Sequence, residues 1–180
     1  MKTTNYIFVE TEQEKKSELL YKLNGYVFHV SNIENLNSIK MDKQINPNID
    51  KRYTTQFGYM NSGFFRNRGC VSLFDYRSEV TEEVQSHRNR LDPFQAARPG
   101  VYGKDGIVIF LIKRDLNFYK ELILWDKWNE ENAWQEQIVP YVEVGYPKPI
   151  SINLIEEIIC VKINEDPFIK ILRRKPSSRS

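Results

Sequence analysis

His29 and Ser31 lie in the stretch Gly25-Tyr-Val-Phe-His-Val-Ser-Asn-Ile-Glu-Asn-Leu-Asn-Ser-Ile39, one of only two places where this chain carries a histidine. Imidazole titrates near neutral pH and can donate a hydrogen bond, accept one or move a proton. A second chemistry-bearing residue is Glu143, a carboxylate set in the apolar run Val139-Pro-Tyr-Val-Glu-Val144. An acid placed among apolar strand residues costs desolvation, so it calls for a reason. Two chemistries follow. A carboxylate can stabilise positive charge that develops on a substrate. Alternatively, His29 and His87 could form the acid–base pair of a metal-independent ribonuclease, with arginines binding phosphate.

The elements that must position these groups can be read from apolar patterning. Residues 25–30 read as a strand that delivers His29 and Ser31 to a strand end. A helix follows over 33–39, with Leu36 and Ile39 on its buried side. Strand ends that open a helix are common seats of function. Residues 70–74, 107–112, 138–144 and 158–163 read as further strands, and 6–9 as a short one. Helices are expected over 12–23 and 79–90. The stretch 40–69 is polar and broken by Asn, Pro and Gly, so it reads as a long, functional loop. Strands and helices do not alternate regularly, which predicts α+β rather than a doubly wound sheet.

Composition narrows the class. The chain has 180 residues, enough for one domain with a proper core, expected over 1–171 with a basic disordered tail at 172–180. The net charge of +2 is too small to demonstrate nucleic-acid binding. The arginines are nonetheless clustered, with Arg66, Arg68, Arg77, Arg88, Arg90 and Arg98 in the middle of the chain. Cys70 and Cys160 sit in apolar runs and read as buried, reduced thiols of a cytoplasmic protein. There is no Cys-x-x-Cys and no His/Cys cluster, so no metal site is expected. The longest apolar runs are of strand length, so no membrane span is expected either. Oligomeric state is not readable.

The order of these pieces resembles the ADP-ribosyltransferase fold in its histidine-type branch. That branch includes poly-ADP-ribose polymerases, RNA 2′-phosphotransferases and DarT-type toxins that modify DNA bases. Its members open with a strand bearing His-x-Ser/Thr and a helix of the form Asn-Leu-x-x-Ile. Here these are His29-Val-Ser31 and Asn35-Leu-Asn-Ser-Ile39. They close with a strand bearing the catalytic Glu, then a proline and Ile-x-x-Ile-x-Val. Here these are Glu143, Pro147 or Pro149, and Ile155 to Val161. The resemblance implies a split central sheet, NAD as substrate and Glu143 as the catalytic residue. It implies NAD contacts from His29 and Ser31, and from Arg52 and Tyr53 as a clamp on pyrophosphate or nicotinamide. A middle-strand residue should also face the cofactor, with Ser72, Phe74 and Tyr76 the candidates. The acceptor would be a macromolecule, nucleic acid or protein, and the role that of a toxin, defence factor or effector.

The chain also departs from the pattern. The family helix is often followed by Gly-Leu, where this chain has Lys40-Met-Asp-Lys43. Arginine-specific members carry Glu or Gln two residues before the catalytic Glu. Tyr141 stands there, which argues against arginine as the acceptor. Plainer readings coexist with the transferase. His29 could be a strand-end histidine, Ser31 a helix N-cap, and Glu143 a solvent-facing strand residue between inward-pointing Val142 and Val144. A non-catalytic module that binds nucleic acid or protein through its basic middle is the other main reading.

Overall fold

Period-two alternation of apolar side chains builds this chain around one six-stranded sheet. The computed structural model describes residues 5–11, 16–50, 62–94 and 106–163. In chain order the elements are β1 (Asn5–Thr11), α1 (Lys16–Leu23), β2 (Val27–Asn32), α2 (Leu36–Asp42), β3 (Gln44–Ile45), α3 (Phe64–Asn67) and β4 (Val71–Asp75). Then come α4 (Glu82–Arg90), β5 (Ile107–Ile112), α5 (Leu116–Lys120), α6 (Lys127–Glu130), β6 (Glu143–Tyr146), β7 (Ile150–Ser151) and β8 (Ile155–Ile163). The architecture is α+β, as the irregular alternation of elements predicts.

The sheet order is β1-β8-β5-β2-β4-β6, and β3 pairs with β7 in a small separate ribbon. The edge strand β1 is parallel to β8, and every other neighbouring pair in the large sheet is antiparallel. All six residues of β5 are buried, because both faces of the sheet are covered. Val108, Phe110 and Ile112 point to one side, with Val27, Leu73, Val144 and Ile158. Leu36, Ile45, Phe118 and Ile150 cover that face. Ile107, Ile109 and Leu111 point to the other side, with Phe28, Phe74 and Ile159, against Leu23 of α1 and Phe94. A third cluster seats α3, where Phe64, Phe65 and Cys70 pack against Ile123, Trp128 and Ile138.

Two strand pairings fix the site. β2 and β4 pair at only two positions, Val27↔Asp75 and Phe28↔Phe74. Beyond Phe28, β2 stays bonded to β5 as far as Asn32, and β4 stays bonded to β6 back to Val71. The sheet therefore splits between residues 29–32 of β2 and the start of β4.

Several boundaries differ from the sequence reading. The run 138–144 is strand only from Glu143, because Pro140 has no N–H to donate and Tyr141 takes a left-handed conformation at φ 62°. Residues 139–142 form a turn instead, with Val142 N–H on the Val139 carbonyl. The strand expected from residue 25 is β2, which begins at Val27, after Gly25 turns the chain at φ 80°. A single 3-10 turn, Ile33–Asn35, precedes α2. The polar stretch 40–69 contains β3 and α3 among its described residues. α4 starts at Glu82, where the Thr81 hydroxyl accepts from the Val84 N–H. The tail at 172–180 lies outside the described residues. Among the described residues, no helix is long and apolar enough to cross a membrane.

Gly145 shows how tightly β6 meets α3. A Cβ there would lie 2.4 Å from the Phe65 ring and 3.1 Å from the Cys70 Cβ. Phe65 is buried and cannot swing clear. Gly145→Ala should cost about 1–3 kcal/mol of folding stability through overpacking. Urea unfolding would show this as a lower midpoint, and an unchanged midpoint would mean that α3 shifts freely.

Candidate functional site

The split in the sheet is a cavity of about 150 Å³. One wall is the end of β2, with His29, Val30, Ser31 and Asn32. The opposite wall is the start of β4, with Cys70 to Phe74, and Glu143 of β6 beside it. α2 and the residues after it supply a third, polar wall of Asn35, Asp42, Gln44, Asn46 and Asn48. Arg66 of α3 and Leu91, just past α4, also line it.

His29 bridges the split. Its Nδ1 lies 3.0 Å from the Ser72 carbonyl oxygen, on the strand that β2 has parted from. A carbonyl only accepts, so Nδ1 carries the proton in this bond. Burial lowers the pKa of the ring, and the Ser72 bond opposes this only partly. The imidazole is therefore neutral at neutral pH, with Nε2 a bare acceptor. A ligand at Nε2 must bring a donor, such as a sugar hydroxyl.

Glu143 begins β6 directly opposite Phe74. Its Oε2 accepts from the Val139 N–H at 2.5 Å. Burial raises its pKa to about 7, against the lowering by the Val139 bond. The carboxyl is half-buried and opens on the cavity. The pleat places it on the same face as Phe28 and Phe74, and places His29 on the other face, across from Phe110. Both still line one cavity, because the sheet is open between them. Glu143 is thus not the solvent-facing strand residue of the plainer reading.

The other predicted residues divide. Ser31 lines the cavity, and its Oγ accepts from the Asn35 amide at 3.0 Å. It is not a helix N-cap, since Asn32 and Asn35 hold the cap positions of the 3-10 turn and α2. Ser72 lines the cavity and contributes its carbonyl to His29. Phe74 also lines it. Tyr76 is placed elsewhere: it is buried beside Phe28 and Phe74, under the Arg88 guanidinium. Arg52 and Tyr53 lie outside the described residues. Cys70 and Cys160 are both buried. His87 does not line the cavity, and its ring packs on Tyr141, so the two histidines are not brought together there.

The arginine-rich middle does not form one basic patch. Arg68 bonds the carboxylates of Glu131 and Glu136, and lies over the Phe64 ring. Arg77 forks onto Asp75 at 2.9 and 2.6 Å. Arg88 is buried, with Asn24 and the Ser78 carbonyl as partners. Arg66 is the one member among the described residues that reaches the cavity. Arg98 lies outside the described residues. Trp128 and Trp134 pack on each other, and the Trp128 indole donates to the Glu136 carbonyl.

The polar wall from α2 onward escaped sequence reasoning. Gln44, Asn46 and Asn48 follow a helix that ends in a left-handed Lys43, at φ 54°. In sequence they look like any amide-rich loop.

No protein family matches the sequence, and no curated protein or solved structure is significantly similar to the chain.

The raised pKa of Glu143 makes a prediction about stability. A carboxyl whose folded pKa exceeds its unfolded value binds its proton more tightly when folded. The contribution of Glu143 to stability therefore falls as pH rises from about 4.5 to about 7 and is flat above that. Glu143→Gln removes this penalty and keeps an oxygen to accept from Val139. The variant should match the native protein near pH 4.5 and exceed it above pH 7, by up to about 3 kcal/mol. Thermal melts across this range would read it. A variant less stable at pH 8 would mean that the carboxylate is already well solvated.

Proposed function

We propose that this chain is an NAD-dependent ADP-ribosyltransferase of the histidine-type branch, built on that fold's split sheet, which modifies a macromolecular acceptor. One observation carries the reading. β2, β4 and β6 lie side by side, and His29, Ser72 and Glu143, one from each, line the gap where the first two part. His29 and Glu143, which the resemblance assigns to NAD and to catalysis, thus line one cavity, from opposite faces of the pleat and from distant parts of the chain.

The chemistry follows from the protonation states. The bond from the ribose carbon to the nicotinamide nitrogen breaks, and its electron pair leaves with nicotinamide. The ribose gains oxocarbenium character, and a nucleophile of the acceptor then bonds to that carbon. Ionised Glu143 stabilises this charge, which exists only near the transition state. The positive nicotinamide ring of bound NAD favours ionisation of Glu143, against the burial that raises its pKa. The bare Nε2 of His29 accepts from a hydroxyl of the adenosine ribose. Ser31, held by Asn35, offers its hydroxyl to the nicotinamide amide or its neighbour. The acceptor is a nucleic acid or a protein. Incubating labelled NAD with DNA, RNA and protein fractions would identify which one takes the label.

Two mutants separate the roles. Glu143→Gln should abolish nicotinamide release while NAD still binds with nearly native affinity. His29→Ala should instead weaken NAD binding roughly tenfold to a hundredfold, the worth of one buried hydrogen bond. Full turnover by Glu143→Gln, or native NAD affinity in His29→Ala, would refute the assignment.

The same tautomer argument sets cofactor choice. A phosphate on the ribose hydroxyl would put acceptor atoms against the Nε2 lone pair. NADP should then bind at least about tenfold more weakly than NAD. Equal affinity in calorimetric titrations would show that Nε2 does not meet that hydroxyl.

A further inference from the structure

The turn that precedes Glu143 carries an unusual residue. Among the described residues, only Lys43, Asn132 and Tyr141 have positive φ without being glycine. Lys43 caps the C-terminus of α2, and Asn132 lies just past α6. Helix ends commonly take this conformation. Tyr141 is at no helix end, and at φ 62° its Cβ crowds the following carbonyl oxygen. Strain of this kind persists only where the surroundings impose it.

Those surroundings come from two separate elements. The Tyr141 ring lies 4.5 Å from the Trp125 ring and 5.2 Å from the His87 ring. Its hydroxyl bonds to Glu83, one helical turn before His87 on α4. None of these three rings belongs to the clusters that form the core.

The clamped turn ends on the carboxylate. The Val142 and Glu143 N–H groups both donate to the Val139 carbonyl, at 3.3 and 3.0 Å. The Val139 N–H in turn donates to Glu143 Oε2. Trp125 is held in register by the Ile123–Gly145 bridge, which ties its segment to β6 itself.

We propose that Tyr141 is the positioning residue for Glu143: its ring, held between Trp125 and His87, keeps the turn 139–143 closed and so aims the carboxylate into the cavity. The role assigned to that carboxylate rests on the transferase reading. The closed turn does not.

Two readouts test this on the intact chain. The first is amide hydrogen exchange at Val139, Val142 and Glu143, measured without NAD. The second is nicotinamide release, with kcat and KM resolved. Tyr141→Phe keeps the rings and should leave both near native. Tyr141→Ala removes the rings but keeps the strain. It should speed exchange at these three amides at least about tenfold while the amides of β5 stay protected. It should also lower kcat about tenfold to a hundredfold, with KM for NAD within about twofold. Tyr141→Gly relieves the strain and should fall between the two.

Unchanged exchange in Tyr141→Ala would overturn the proposal. So would exchange that rises equally in β5, since Tyr141 would then act on global stability alone. Loss confined to KM would place Tyr141 in substrate binding instead. If the native chain releases no nicotinamide, the transferase reading fails, and the exchange result alone decides whether Tyr141 holds the turn.

Discussion

The candidate site depends on where β2 and β4 stop pairing. Two residue pairs join them, and then each strand continues with its other neighbour. A strand that leaves its partner exposes backbone groups, and buried ones need new partners. His29 supplies one, because its Nδ1–H satisfies the Ser72 carbonyl across the gap. The same bond fixes the tautomer, leaving Nε2 as the acceptor. The gap also explains how residues on opposite faces of the pleat line a single cavity.

Around the gap, charge is arranged by contacts that are distant in sequence. Glu131 and Glu136 neutralise Arg68 across 63 and 68 residues, which pins the end of α3 to the segment after α6. Such partly exposed pairs add little stability singly. Here they fix the wall that carries Arg66. On the other side, burial raises the pKa of Glu143 to about 7, against the lowering by the Val139 N–H.

Much of this was legible because the physics is local. The run Ile107–Ile112 is apolar throughout and became a central strand with those bounds, since burial on both faces removes any need for alternation. The helical segment after β2 followed from the spacing of Leu36 and Ile39, although the strand runs on past His29 to Asn32. The failures are equally physical. Pro140 inside 138–144 was the available sign that the run could not be one strand, and φ at Tyr141 completes the break. Tyr76 looked like a cleft residue, but it lies past the point where β2 and β4 are paired, inside the core. Ser72 acts through its carbonyl, which no side-chain motif can signal. The apparent basic patch dissolved because its arginines are taken up separately: Arg68 by distant Glu131 and Glu136, Arg77 by nearby Asp75, and Arg88 by Asn24 and the Ser78 carbonyl.

The most direct test of the account is nitrogen-15 NMR of the His29 ring during titration with NAD. The account predicts that Nδ1 is protonated and Nε2 bare in the free protein at neutral pH. It predicts a saturable shift at Nε2 as a ribose hydroxyl donates to it, with Nδ1 unchanged. A His29 ring that stays unperturbed at saturating NAD, or a response confined to His87, would contradict it.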